Sequence, residues 1–132
     1  MHSRREKNIQ LAHAVLDWNR KNLNQRSELT DETVGQCFAS DFVVRPNGRH
    51  YEATLGTYRE FLNGMKRSME RIEYDIIRTV ADDDSVVFSM SVLIQHIGQP
   101  PQRFIAMLLI RFNGEGKVVL WEEVYLPKEG TV

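Results

Sequence analysis

The sequence predicts an α+β domain in which helices from the first half pack on a mainly antiparallel sheet from the second. Three observations predict it. Residues 5 to 70 favour a helical period of apolar side chains, and residues 72 to 126 favour the alternation of strands. The strand half is cut by Asp82-Asp83-Asp84, Gly98-Gln99-Pro100-Pro101 and Asn113-Gly114-Glu115-Gly116, all turn chemistry. The 132 residues fit one domain, 1–132, with enough surface removed from water for a core and one pocket.

The first helix runs from about Arg5 to Leu23. Ile9, Ala12, Val15, Leu16 and Leu23 recur at helical spacing, with His13 and Trp18 on the flanks. Thr30 or Asp31 can cap a second, short helix through Val34, Cys37 and Phe38, ended by Ser40-Asp41. Phe42-Val43-Val44 reads as a short strand stopped by Pro46-Asn47-Gly48. Thr57 and Glu60 have capping-box spacing, and Tyr58, Phe61, Leu62, Met65 and Met69 form the stripe of a third helix.

Four strands follow: Ile72 to Val80, Val86 to Ile97, Arg103 to Phe112 and Lys117 to Leu126. In the second of them Phe88, Met90, Val92, Ile94 and His96 share a face. A four-residue loop in the last hairpin pairs Phe112 with Lys117, Leu108 with Trp121 and Ala106 with Glu123. One face then carries Phe104, Ala106, Leu108, Ile110, Trp121, Glu123 and Tyr125. The reverse carries Ile105, Met107, Leu109, Leu120, Glu122 and Val124. Both are largely apolar, and a sheet with one face in water alternates more cleanly. A homodimer through the outer sheet face is the expected solution. A monomer shielded by its own twist is the alternative.

Composition narrows the partners. Lys and Arg number 17 against 18 Asp and Glu, a formal charge of −1, which points away from nucleic acid and from an anionic membrane. The single cysteine, Cys37, cannot form an intramolecular disulfide. The N-terminal residues enter an amphipathic pattern with no apolar signal-peptide core, so a cytoplasmic location is expected. The apolar run from Phe104 to Ile110 is too short to span a bilayer. Histidines 2, 13, 50 and 96 show no metal-ligand spacing, and the triple aspartate reads as a solvated turn. No metal and no cofactor are expected. Phosphate loops, dinucleotide fingerprints and serine elbows have no counterpart.

Several segments, in order, resemble the NTF2-like superfamily, specifically its SnoaL-like and ketosteroid-isomerase-like members. They are the helix ending in Trp18-Asn19, the stretch Ala39 to Gly48, the helix Thr57 to Met69, and Arg111 to Val119. The resemblance covers roughly Ile9 to Tyr125. It implies an NTF2-like cone: three N-terminal helices packed on a strongly curved, mixed but mainly antiparallel sheet, around a mostly apolar pocket, often in a dimer. It also implies a choice among isomerases, cyclases, dehydratases, hydrolases and non-enzymes. Three positions depart from the isomerase pattern. Arg45 stands where that family has its general base, Ala14 where it has a phenol donor, and Leu108 where it has a protonated aspartate. Alanine and leucine hold no enolate, so isomerisation by that set is not expected.

The candidate catalytic residues are Glu123, Arg45 and His96. Glu123 is an acid on an apolar face and must be paired, protonated or near the cone mouth. Arg45, placed in the pocket by the resemblance, can neutralise it or hold a substrate carboxylate. His96 lies late in its strand, where a rim histidine can move protons near neutral pH. Trp18, Tyr58, Phe88, Met90, Leu108, Trp121 and Tyr125 are candidate pocket walls, with Asn47 and Tyr51 at the mouth. The expected partner is a small apolar or amphipathic ligand, bound with or without acid/base chemistry. A non-catalytic dimeric assembly subunit is the alternative.

Overall fold

The computed structural model describes residues 3–128. His2 therefore lies outside the described residues. Helix α1 spans Arg4–Asn22 and α2 spans Asp31–Val34. Strand β1 covers Phe38–Pro46 and β2 covers Tyr51–Thr54. Helix α3, Leu55–Met65, ends in a 3-10 turn, Lys66–Ser68. Strands β3 (Met69–Ala81), β4 (Ser85–His96), β5 (Gln102–Phe112) and β6 (Val118–Pro127) complete the chain. Six strands form one sheet in the order β2-β1-β6-β5-β4-β3. The β1–β6 pairing is parallel and the others antiparallel, so the sheet is mixed.

The helical complement is thinner than three comparable helices. One helix has 19 residues, one 11, and α2 is a single turn of four. Ser3 caps α1 by accepting from Glu6 N–H at 3.1 Å, and Ala12, Val15, Leu16 and Trp18 are buried along it. Thr30 caps α2. That helix stops at Val34 because the chain is already committed to the sheet beyond it: Val118 N–H donates to the Cys37 carbonyl, and Phe38 pairs with Val118. The expected extension through Cys37 and Phe38 is thereby corrected.

Helix α3 starts three residues earlier than expected. Its capping box joins Thr54 and Thr57, not Thr57 and Glu60: each hydroxyl accepts from the other's backbone N–H, at 3.2 and 2.9 Å. The segment before it forms β2, a strand of four residues that the sequence pattern does not announce.

The last hairpin has a five-residue loop. Asn113 Oδ1 accepts from the N–H groups of Glu115 and Lys117, and Gly116 takes a φ of 77°. Phe112 therefore meets Val118 instead of Lys117. That one-residue slip alone would turn β6 over. Val119 is bulged, however, and Arg111 pairs with Leu120. Loop and bulge together shift the register by two, so Leu108 pairs with Glu123 and Ala106 with Tyr125. The faces survive although the partners change. Ala106, Leu108, Ile110 and Trp121 are buried on the inner face, while Ile105, Met107 and Val124 are exposed on the outer one.

Two bulges, at Glu70 and Ile77, interrupt β3. Bulges add local bend and twist, which favours a sheet that curls around α1 and α3. One end of that curl is filled. Leu16, Val86, Phe88, Leu108, Ile110 and Val118 are essentially inaccessible there. The other end encloses space. No described helix is long and apolar enough to cross a membrane.

Candidate functional site

The enclosed space has a volume of about 890 Å³, within the range of small-molecule sites. Its walls come from α1, α3 and all six strands. Leu23, Leu62, Met69, Ile72, Val92, Ile94, Phe104 and Ala106 supply apolar surface. Two strands contribute alternate residues: Val92, Ile94 and His96 from β4, Trp121, Glu123 and Tyr125 from β6.

Glu123 is the half-buried acid of this cavity, whose wall also holds the exposed Glu52. Its backbone is held from β1: Asn47 N–H donates to the Glu123 carbonyl at 2.8 Å, and Asn47 Oδ1 accepts from Tyr125 N–H at 2.8 Å. Asn47 adopts a φ of 50° to do so, a left-handed conformation that asparagine tolerates better than most residues. Burial pushes the Glu123 carboxyl above its ordinary value, and hydrogen bonding from the Trp121 side chain opposes the rise.

Two phenols face the same space. Tyr58 comes from α3 and is wedged against Phe38, Phe42 and Phe61. Tyr74 comes from β3, and its hydroxyl oxygen accepts from Asn19 Nδ2 at 2.9 Å. Burial drives both phenols upward in pKa. The negative charge of Glu123 adds to the rise in each, and in Tyr74 the Asn19 hydrogen bond opposes it. Both therefore stay protonated through neutral pH. Tyr74 keeps its own O–H to donate, because its oxygen is the acceptor toward Asn19.

The remaining expected residues divide. Asn47, Tyr51, Tyr58, His96, Trp121 and Tyr125 line the cavity together with Glu123. Arg45 does not. Val44 and Pro46 face the cavity, so strand alternation sends Arg45 to the opposite face. There its Nε–H donates to His50 Nδ1 at 3.1 Å, and its neighbour across the parallel pair is Glu122. Trp18 is buried beside the cavity instead, its indole N–H donating to Gln36 Oε1 at 3.2 Å and its ring packed edgewise on Phe38. Phe88, Met90 and Leu108 belong to the filled end and line none of the space. Leu108 pairs with Phe88 on one side and Glu123 on the other, and its side chain is fully buried. His96 is at the mouth, its Nδ1 2.9 Å from Ser68 Oγ.

The isomerase comparison changes accordingly. Ala14 is solvent-exposed, Arg45 points outward and Leu108 is core. None of these three positions faces the cavity, so their side chains do not decide its chemistry. Sequence reasoning passed over the lining residues Arg49, Glu52 and Gln102, and also Asn19 and Tyr74. A faint signal existed for the last two. Asn19 interrupts the stripe of Ala12, Leu16 and Leu23, and Tyr74 shares the inward phase of Ile72 and Ile76.

Asp82 Oδ1 accepts from the N–H groups of Asp84 and Ser85 and from the Ser85 hydroxyl. These hydrogen bonds hold its carboxyl below its ordinary value, and they make the triple aspartate a turn. Among the described residues, no three His, Cys, Asp or Glu side chains gather as a metal site.

No protein-family model matches the sequence, and no curated protein matches it. Solved structures do match in fold. An LEH-like epoxide hydrolase of M. tuberculosis superposes with a TM-score of 0.75 at 16% identity, covering 96% of this chain and 83% of that one. An NTF2-like protein from Anabaena variabilis gives 0.69 at 15% identity, covering 93% and 90%. A protein from Catenulispora acidiphila with a ketosteroid isomerase-like fold gives 0.65 at 16% identity, covering 86% and 83%. With its six-stranded mixed sheet curled around the cavity, the chain has the fold of the NTF2-like superfamily, which its SnoaL-like and ketosteroid-isomerase-like neighbours share.

Proposed function

We propose that this protein binds a small, largely apolar molecule carrying an oxygen function and exchanges a proton with it through Glu123. One observation carries the reading: the half-buried carboxyl of Glu123 and the phenols of Tyr58 and Tyr74 line one largely apolar cavity, where desolvation favours the protonated form of each. A carboxyl moved toward neutrality serves as either acid or base. Tyr58 and Tyr74 are suited to donate hydrogen bonds to an oxygen that gains negative charge. The reaction class is proton transfer or water activation, which spans isomerisation, cyclisation, dehydration and hydrolysis. The epoxide hydrolase of like fold supports the range without selecting a member.

The test begins with binding. A panel of apolar alcohols, ketones and epoxides is screened by native mass spectrometry against the wild type and Ala106→Trp, which narrows the cavity. Ligands should bind the first and not the second. For each ligand, deuterium uptake or turnover is then compared with Glu123→Gln. Proton exchange that persists unchanged in Glu123→Gln would sink the chemical role.

A second reading concerns assembly. Ile105, Met107 and Val124 leave about half of their surface in water on the outer sheet face, and we propose that a second copy covers them about a two-fold axis. Light scattering should give twice the chain mass, and Met107→Glu should return it to one.

A further inference from the structure

Among the described residues the buried polar side chains are Asn19, Asn24 and Lys66. Two of them serve the backbone. Asn24 uses both ends of its amide, donating to the Lys21 carbonyl and accepting from the N–H groups of Arg26 and Ser27. Lys66 donates to the Ser27 carbonyl. Asn19 differs. Its Nδ2 donates to the Tyr74 hydroxyl oxygen at 2.9 Å, and among the described residues nothing donates to its Oδ1. Asn19 is only 6% exposed, yet that oxygen is not sealed in: no enclosed side-chain oxygen of the described residues lacks a partner. Asn19 sits on the buried stripe of Ala12, Val15, Leu16 and Leu23, and it lines the cavity. The space its oxygen opens to is therefore the cavity.

Tyr74 is left in the matching state. Its oxygen accepts from Asn19, and its own O–H has no acceptor among the described residues. The ring is fixed from α1 a second time. Arg20 Nη2 donates to the Tyr74 carbonyl at 3.1 Å, and the guanidinium lies 5.4 Å from the ring centroid. Asp17 and Glu73 hold that guanidinium in turn. Two adjacent residues of one helix thus orient the phenol, the kind of support a recognition site needs.

Side by side, Tyr74 offers the cavity a donor and Asn19 an acceptor. Turning the amide over exchanges the two roles and leaves one of each. A desolvated acceptor left unpaired costs free energy, so the ligand that fits brings a donor as well as an acceptor. Ketones, ethers, epoxides and carboxylates only accept. Alkylammonium ions only donate. A hydroxyl does both.

We propose that Asn19 and Tyr74 form a selectivity pair for a ligand hydroxyl, which accepts from the Tyr74 O–H and donates to Asn19 Oδ1. The ligand class is thereby an apolar alcohol. The inference rests on the reading of the cavity as a small-molecule site and names the oxygen function it selects. It needs no proton transfer by Glu123.

The alcohol, ketone and methyl ether of one skeleton are compared by calorimetric titration of the full chain, for the adamantane, decalin and cyclododecane skeletons. At least one alcohol should bind about ten-fold tighter than its ketone and its ether, since each of these leaves Asn19 Oδ1 unpaired. In the double variant Asn19→Leu with Tyr74→Phe, checked for unchanged circular dichroism, that preference should vanish. A crystal of the wild-type complex gives a measurement that does not depend on the variant's folding. There the alcohol oxygen should lie within about 3 Å of polar atoms of both Asn19 and Tyr74. Four results each overturn the pair: no alcohol bound, a ketone or ether bound as tightly, a preference that survives in the folded double variant, or a hydroxyl seated on Glu123 alone. Alcohol preference together with proton exchange unchanged in Glu123→Gln removes the chemical role and keeps the pair. Exchange lost in Glu123→Gln with alcohol and ketone bound alike does the reverse.

Discussion

The two ends of the curled sheet use the same strands differently. At the filled end, inward residues of neighbouring strands meet one another: Leu108 between Phe88 and Glu123, Ile110 between Val86 and Trp121. At the open end, inward residues of the same strands face a cavity. The filled end carries the acid-rich turn of Asp82 on its surface. The open end carries exposed aromatics and the polar groups that face the cavity. Stability is thus concentrated where side chains touch, and chemistry where they do not.

The largest expected effect tests that division directly. Leu108→Ala removes a fully buried side chain from the filled end and should cost about 2–5 kcal/mol in urea unfolding. Ile94→Ala, on the cavity wall, loses fewer contacts and should cost about 1 kcal/mol. Equal costs would break the comparison.

Asn19→Leu comes next. It leaves the buried Tyr74 hydroxyl without its donor, at about 1–3 kcal/mol. Tyr74→Phe in the same background should recover part of that loss, because the orphaned group is then gone. Thr54→Ala removes the cap of the helix that walls the open end and should cost about 1 kcal/mol, read by thermal unfolding.

Glu123→Gln gives the smallest change in acid and a growing one above it. The carboxyl's folded pKa is raised. Its stability contribution is therefore complete below the unfolded value of about 4.5 and is lost as pH rises through the folded value. The variant should match the wild type near pH 4 and become the more stable protein toward pH 8. Urea midpoints across that range check the sign, and a gap that narrows with rising pH contradicts it.

Much of the fold is legible in the residues. The helical stripe of α1, the four long strands and the turns between them lie close to their expected bounds, because each rests on local periodicity or turn chemistry. The β2 strand is not legible. Four residues, Tyr51–Thr54, are too few to show alternation, and they become a strand only by pairing with β1. Helix α3 has two threonines able to cap it, and the strand entering at Thr54 selects the earlier one. For the candidate site, Glu123 stands out as an acid on an apolar face. Arg45 misleads because its neighbours' inward phase depends on a parallel pairing with β6.

By itself the sequence determined which residues share a face along most of the last three strands, and therefore that Glu123 lies on the inner one. Side-chain direction alternates along a strand wherever no bulge interrupts it, so parity there is a local property; in β3, bulges at Glu70 and Ile77 break it. Only the tertiary structure decided which partners that face meets. Loop and bulge moved the last register by two residues, keeping the parity and replacing Ala106 with Leu108 beside Glu123. The gathering of Asn19, Tyr58, Tyr74 and Glu123 belongs to the tertiary structure too, since four separate elements supply them. Their meeting depends on how far the sheet bends. Backbone bulges and strand pairing set that bend, and no single stretch of sequence encodes it.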